Sequence, residues 1–175
     1  MDTKDFALEA LNRIHGVLQR VLSDLGSEDL HRLPHPESNS IAWLVWHLTR
    51  VQDVSVSGLA ELEQAWVSEG WHATFGMEAD PEQDGFGHTP EDVASFRAPS
   101  AQALLDYHES VLARSTTFVS GLAPEDFDRE LNQPQFQPLP TVGVRLVSVL
   151  SDNLQHAGQA GYLRGLFQGR GWQPF

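Results

Sequence analysis

The stretch "SIAWLVWHLTRVQDVSVSGLAELEQAW" (residues 40–66) decides the fold class of this chain. Its apolar side chains recur every three or four residues, which is the period of a helix with one face in a core. The inward positions are Ile41, Leu44, Leu48, Val51 and Leu59. Any residue from Ser38 to Ser40 can cap the start of this helix, and we expect it to run to about Trp66.

Three further segments have the same apolar period, at residues 2–25, 100–121 and 141–167. Ser100 and Thr141 occupy the N-cap positions of the last two, where a side-chain oxygen accepts a free backbone N–H group. Gly26 follows the first segment, where a C-terminal cap is expected. The chain therefore contains four predicted helices.

The segments between these helices are rich in proline, glycine and polar residues. Residues 27–40 form the shortest of them, whereas residues 70–100 and 122–140 are longer, with a short turn expected at 90–96. The pattern shows no convincing strand alternation. We predict an all-α fold: a four-helix bundle in one domain spanning residues 1–175, with long loops between helices 2 and 3 and between helices 3 and 4.

The composition limits the classes of partner. With 24 acidic and 11 basic residues the formal net charge is −13, which repels nucleic acids and anionic membranes, so we expect a small-molecule partner. The chain has no cysteine, which excludes disulfides and cysteine nucleophiles. Its first residues are charged and amphipathic, unlike a signal peptide, and no apolar run reaches membrane-spanning length, so we expect a cytoplasmic protein.

Three residues point to a metal site in the bundle core. His47 lies in the apolar stripe of the second helix, and Asp152 and His156 lie four residues apart on one face of the fourth. Two imidazoles and a carboxylate can hold a divalent cation and leave positions open for water or substrate. Zinc is the default ion for these ligands, and nickel or ferrous iron also suits them. The alternatives are a solvated or buried Asp–His pair and a satisfied core histidine.

Other residues near this pattern have both a functional and a structural interpretation. Trp43, Trp71 and His88 are candidates for a pocket wall, because Trp43 lies close to His47 and the other two lie in the long irregular segment; core packing is the alternative for the tryptophans. Arg145 and Arg164 can receive an anionic substrate group or lie on a solvated surface. Solvent exposure is expected for the histidines other than the two candidate ligands. These are His15, His31, His35, His72, His88 and His108.

The segments "NSIAWLVWHLTRVQD" and "DNLQHAGQAGYLRG" together resemble the DinB-like superfamily of bacterial metal-binding four-helix bundles. This superfamily includes bacillithiol-dependent transferases and mycothiol-dependent maleylpyruvate isomerase. The resemblance implies that His47, Asp152 and His156 are the metal ligands. The position of Asp152 is often histidine in the DinB branch, and the isomerase branch is similar to this chain in having an acid there. The resemblance also implies a homodimer, in which the small residues of the fourth helix allow close contact.

Two functional hypotheses follow. The first is a metal-dependent enzyme that acts on a small molecule, either as a thiol-dependent S-transferase or isomerase or as a hydrolase. Its thiol would come from a low-molecular-weight cofactor such as mycothiol or bacillithiol, since the chain has no cysteine. The second is a non-catalytic, stress-associated bundle that binds a metal or a small ligand. No general base is evident beyond the ligands, so no catalytic residue is assigned, and a purely structural His/Asp core is a third reading.

Overall fold

The computed structural model describes residues 1–172 of the chain. Over these residues it contains eight α-helices and two 3-10 helices, with a single isolated bridge, Glu130 to Thr141, as the β-type pairing. The α-helices are α1 (Thr3–Leu22), α2 (Ser27–His31), α3 (Ile41–Ala60), α4 (Ala65–Ser68), α5 (Trp71–Thr74), α6 (Pro90–Ser95), α7 (Ala101–Gly121) and α8 (Val142–Gln168). The 3-10 helices are Pro124–Asp128 and Arg170–Trp172. The predicted all-α class is confirmed; residues 173–175 of the predicted domain lie outside the described part.

Three predicted N-caps are confirmed. The hydroxyl groups of Ser40, Ser100 and Thr141 each accept the backbone N–H group three residues further on, which fixes the first residues of α3, α7 and α8. The predicted C-terminal cap at Gly26 is wrong: α1 ends at Leu22, and Gly26 is instead the N-cap of α2.

The helix predicted for residues 40–66 ends earlier than expected. Glu61 takes a left-handed conformation, with φ at 56°, and terminates α3 at Ala60. The carboxylate of Asp53, buried in α3, accepts the backbone N–H groups of Ala65 and Trp66 at 3.0 and 2.8 Å. These bonds redirect the chain into the separate turn α4, a tertiary constraint that the helical period does not reveal.

The long helices α3 and α8 run antiparallel along one seam of the bundle. Near one end His47 of α3 meets His156 of α8, with ring centroids 4.9 Å apart. Further along, the side-chain amides of Gln52 and Asn153 are hydrogen-bonded at 2.6 Å. Residue numbers rise along one helix as they fall along the other, so this seam brings the middle of α8 onto the first half of α3.

The helices α3 and α7, in contrast, run parallel. Thr49 lies 3.3 Å from His108, and Gln52 donates to Ser115 at 2.8 Å, so both numberings rise together. Parallel neighbours need a connection that returns along the length of the bundle. Residues 61–100, which contain α4, α5 and α6, make that return.

The returning segment changes the environment of α3. Every residue from 41 to 50 is buried, so the prediction of a one-sided apolar stripe is wrong for the first half of this helix. Trp46, for example, packs against Trp66 of the returning segment with ring centroids 6.1 Å apart. Val51 and Leu59, which belong to the predicted stripe, are only half-buried. Within residues 1–172, no helix is both long enough and apolar enough to cross a membrane.

Candidate metal centre

The structure brings the three predicted ligands together on the α3–α8 seam. His47, Asp152 and His156 each offer one ligand atom, and these atoms all lie within 4.8 Å of one another. The Nε2 atom of His156 lies 3.5 Å from an Asp152 carboxylate oxygen, as expected for positions one turn apart on α8. The helix supplies this pair locally, whereas His47 arrives through packing of α3 against α8.

The orientation of His47 is set by the returning segment. Its Nδ1–H group donates to the backbone carbonyl of Asp84 at 2.5 Å, because a carbonyl oxygen only accepts. The proton is therefore on Nδ1, which leaves the Nε2 lone pair available as a ligand. The indole of Trp43 lies against the same imidazole, with ring centroids 4.7 Å apart and planes 14° from parallel. His47 is thus held on two sides.

The close approach of the backbone near His47 depends on Gly85. This residue has φ at +94°, and a Cβ atom there would lie 2.9 Å from the indole of Trp46 and 3.0 Å from Nδ1 of His47. An L side chain would be strained and would also overlap its neighbours. The glycine therefore lets the Asp84 carbonyl sit directly on the imidazole.

The second histidine is oriented in the same way. Nδ1 of His156 lies 2.8 Å from the side-chain oxygen of Gln159, so its Nε2 atom faces Asp152. One carboxylate oxygen of Asp152, Oδ2, is buried and has no hydrogen-bond partner among residues 1–172. Two imidazole nitrogens with their outer N–H groups engaged, beside an unpaired carboxylate oxygen, fit a divalent cation. A His/Asp/His cluster of this kind can bind a metal.

The electrostatics of the two imidazoles differ. Burial lowers the pKa of His47 below its usual value and keeps this ring neutral at pH 7. The hydrogen-bonding contact with Asp152 raises the pKa of His156. Any proton on Nε2 of His156 must leave when a cation binds to that nitrogen.

A buried ion pair holds the segment that carries Asp84. The guanidinium of Arg50 is fully buried and donates to the backbone carbonyls of Gln83 and Pro81 at 2.9 and 3.0 Å. Its partner Asp53 lies 3.5 Å away on the same helix. Arg50 and Asp53 therefore fix the path of the returning segment over α3.

Sequence reasoning missed the role of Arg50, Asp53, Asp84 and Gly85. The glycine-rich run "DGFGH" (residues 84–88) is the signal that marked a special backbone conformation. Arg50 and Asp53, three apart within a buried helical stretch, were a second signal, because buried charges need a partner.

The candidate pocket residues are not all in one place. The Trp43 indole N–H donates to Nδ1 of His88 at 3.1 Å, and the His88 ring stacks on Trp46 with ring centroids 5.8 Å apart. Trp71 begins α5 and packs against Tyr107, with ring centroids 5.3 Å apart, and its indole N–H donates to Glu69. Trp43 therefore borders the cluster, His88 is bonded to Trp43, and Trp71 belongs to the packing of α5 on α7.

The expectation of solvent exposure is wrong for most of the remaining histidines. His108 is completely buried in α7, and burial lowers its pKa to about 3. His15 is half-buried beside it, with ring centroids 5.6 Å apart. His31, His72 and His88 are also half-buried, and among the six only His35 is exposed.

Arg164 is likewise not on a solvated surface. It is buried and donates to the backbone carbonyls of Arg20 and Val21 at 2.6 and 2.8 Å, which ties the end of α8 to the end of α1. Its role is structural.

The chain resembles known proteins in both sequence and fold. The crystal structure of a conserved protein from Enterococcus faecalis superposes with a TM-score of 0.88 at 29% identity, covering 97% of this chain and 99% of that one. No match is found among curated proteins. The family model of the DinB superfamily matches residues 10–160, which include all of α3 and the three clustered residues. The chain therefore belongs to the DinB superfamily.

Proposed function

We propose that this protein is a metal-dependent enzyme whose cation is held by His47, Asp152 and His156 and which acts on a small molecule. The observation that carries the proposal is the convergence of three ligand atoms within 4.8 Å, with the Nδ1 atoms of both imidazoles already engaged by oxygen acceptors. Two imidazole nitrogens and one carboxylate oxygen favour zinc, with nickel and ferrous iron as the other candidates.

The chemistry depends on the coordination positions of the cation that the three protein ligands leave open. Three protein ligands do not fill the coordination of these ions, and a cation bound there supplies Lewis acidity that favours the deprotonated form of a thiol or water. A thiol would have to be a small cofactor such as mycothiol or bacillithiol, since the chain has no cysteine. The proposed setting is the cytoplasm, where such thiols are kept reduced. Hydrolysis requires no thiol and is the simpler variant.

The residues of the chain have distinct tasks in this proposal. Asp84 holds the proton-bearing side of His47, and Gln159 does the same for His156, so that both rings present Nε2. Trp43 covers one face of His47 and excludes water from it. None of these residues reacts; together they fix the geometry in which a cation and substrate would meet.

One observation favours the alternative, a non-catalytic binding protein. His88 is a candidate general acid or base, yet its Nδ1 atom accepts the Trp43 N–H, and its ring packs against Trp43 and Trp46. A metal- or small-ligand-binding bundle associated with stress needs no such group.

Metal analysis tests the proposal. We would purify the protein without a histidine tag and measure zinc, nickel and iron in the wild type, Asp152→Ala, His156→Ala and the control His35→Ala. We expect near-stoichiometric metal in the wild type and in the control, and its loss in the other two. A wild type that stays metal-free after incubation with each ion would overturn the proposal. Turnover of thiols with electrophiles, or of ester and amide substrates, by the loaded protein would then separate enzyme from binding protein.

We also propose that the protein is a homodimer formed through α8. Large apolar side chains are exposed along this helix at Val144, Val147, Leu154, Tyr162 and Leu166. The second half of the face also borders a groove of about 760 Å³, lined in part by Gly158, Tyr162 and Leu166. An antiparallel pairing of two copies across a two-fold axis would bury the apolar face and the groove of each copy against the other. A second copy is therefore the proposed occupant of this face.

A further inference from the structure

Arg145, in the first turns of α8, carries a positive charge with no acidic partner. Its guanidinium is half-buried and donates to the side-chain oxygen of Gln133, at 2.7 Å from Nε and through a second nitrogen. It also lies over the ring of Phe136, 4.4 Å from the centroid. Both partners are neutral, and within residues 1–172 no carboxylate forms an ion pair with it. In a chain with a net charge of −13, an acidic partner would be easy to supply, so the unpaired guanidinium is available to a ligand.

This guanidinium lines a pocket of about 290 Å³ at the α3–α8 seam. The α3 side of the pocket is made by Val54, Ser55, Gly58 and Leu59, and Leu131 and Gln133 close it from the segment before α8. Apart from the Ser55 hydroxyl, Gln133 and Arg145 itself, the side chains that line the pocket are apolar or absent, as at Gly58. A planar fork of N–H donors in such a pocket matches a carboxylate group.

The pocket and the metal cluster lie one after the other along the α3–α8 seam. Arg145 precedes Asp152 by seven residues, which is two helical turns, so the two side chains project from nearly the same face about 10 Å apart along the axis. His47 likewise precedes Val54 by seven residues on α3. Since α3 and α8 are antiparallel, both helices place the pocket in the same direction from the cluster.

We propose that Arg145 binds the carboxylate of an elongated small molecule whose other end reaches the cluster of His47, Asp152 and His156. The inference rests on the proposed metal site and adds the substrate class: a small carboxylic acid with its reacting group about two helical turns from the carboxylate. The separation of about 10 Å along α8 between Arg145 and Asp152 disfavours substrates whose carboxylate is adjacent to the reacting group.

The competing role for Arg145 is to hold the segment before α8 in place. That segment is already tied by backbone hydrogen bonds, from Leu131 N–H to the Pro140 carbonyl at 2.9 Å and from Val142 N–H to the Arg129 carbonyl at 3.1 Å. These bonds pin both ends without Arg145. The two ends of the segment therefore do not depend on the charge of Arg145, which contacts Gln133 and Phe136 between them.

A series of straight-chain dicarboxylates tests the inference. We would load the protein with Co²⁺ and titrate it with succinate through sebacate and with the monocarboxylates of equal chain length, following the visible absorption of the ion. We expect one intermediate dicarboxylate to bind about tenfold or more tighter than its monocarboxylate, since the second carboxylate gains charge-assisted hydrogen bonds. Equal affinities at every length in the wild type would overturn the inference.

Two variants identify the residue responsible. Arg145→Gln removes the charge, and Gln133→Glu leaves Arg145 in place but gives it an internal carboxylate partner. Both should abolish the dicarboxylate preference while keeping the Co²⁺ spectrum of the ligand-free protein. Arg13→Gln is the matched control, because Arg13 is an exposed residue paired with Glu9 on α1, and it should keep the preference. A preference that survives in Gln133→Glu would overturn the assignment, even if Arg145→Gln fails to fold.

A metal-free measurement separates this inference from the proposed function. In metal-free wild type, the Nε–Hε NMR resonance of Arg145 should shift and saturate as adipate is added, and it should not respond in Gln133→Glu. A saturating shift in a protein that binds no cobalt would retain the anion subsite and reject the metal enzyme. Cobalt binding without any such shift would retain the metal site and reject the role of Arg145.

Discussion

The imidazole of His47 and the backbone carbonyl of Asp84 are hydrogen-bonded at 2.5 Å across 37 residues of chain. This bond joins the buried first half of α3 to the segment that returns along the bundle. It decides which nitrogen of His47 is free, and therefore whether the ring can act as a ligand. The first prediction concerns the glycine that permits it.

Replacing Gly85 with alanine should destabilise the protein and weaken metal binding. The new Cβ would meet Trp46 and His47 at 3.0 Å or less in a left-handed backbone conformation. We expect a loss of about 2–4 kcal/mol in the free energy of unfolding from strain and overlap together. Urea unfolding and Co²⁺ titration measure the two effects.

Gly87→Ala is the matched control for this substitution. Gly87 also has a positive φ, at +81°, but a Cβ there would meet nothing within 4 Å. It should show only the strain, about 1–2 kcal/mol, and unchanged metal affinity. If the two variants lose metal affinity equally, the contact with His47 has no special role.

Replacing Asp53 with alanine should be among the most damaging single changes. Asp53 is buried and accepts hydrogen bonds from the Tyr107 hydroxyl and from two backbone N–H groups of α4, besides its pairing with Arg50. Its removal leaves a buried guanidinium without its carboxylate, which costs about 3–5 kcal/mol. Glu9→Ala, which breaks the exposed Arg13–Glu9 pair, should change the free energy of unfolding by less than about 0.5 kcal/mol. If urea unfolding gave similar losses of the free energy of unfolding for Asp53→Ala and Glu9→Ala, the buried pair would not be structural.

Particular residues also show which features of the fold and site could be predicted from the sequence. Asp152 and His156 could be predicted to meet because helix geometry is local, and Ser40, Ser100 and Thr141 could be predicted as caps for the same reason. The bond from His47 to the Asp84 carbonyl could not be predicted. Every residue carries a carbonyl, and only the path of the returning segment brings this one to His47. His108 was expected at the surface because the period of α7 does not reveal that both α1 and α3 pack on it.

The buried His108 should make the fold sensitive to acid. Burial, and to a smaller extent the nearby His15, lower the pKa of this imidazole to about 3, so the folded state disfavours the protonated form. Unfolded histidine titrates near 6.5, so the unfolded state binds the proton first, and stability is lost as the pH falls from about 6.5 toward 3. Between pH 7 and pH 4.5 the wild type should lose roughly 2–3 kcal/mol more than His108→Phe, measured by urea unfolding at each pH.

The exposed His35 provides the control for this effect. His35→Phe should follow the wild type at every pH. If His108→Phe shows the same pH dependence as the wild type, His108 is not the group responsible for the acid sensitivity.

Removing the Gln159 side-chain oxygen should weaken metal binding without unfolding the protein. In Gln159→Leu, the imidazole of His156 loses the partner of its Nδ1 atom and can rotate or change tautomer. Loss of such an outer partner typically weakens metal affinity about 10–100-fold. Gln155→Leu is the control, because Gln155 is exposed on the same helix and, within residues 1–172, its side chain bonds only to Ser151. Competition titrations with a zinc indicator would compare them, and equal affinities would mean that Gln159 does not orient the ligand.

The last prediction concerns the proposed dimer. Leu154 lies at the middle of the exposed apolar face of α8 and is 53% exposed, so Leu154→Glu should leave the monomer fold intact. Two copies paired antiparallel would bring these two positions close to the two-fold axis, where two desolvated carboxylates repel. Light scattering during gel filtration should therefore give twice the chain mass for the wild type and one chain mass for Leu154→Glu. Thr117→Glu, at an exposed site on α7, should remain dimeric. A monomeric wild type would contradict the proposed dimer. A dimer that persists in Leu154→Glu would show that the interface is not formed by this face of α8.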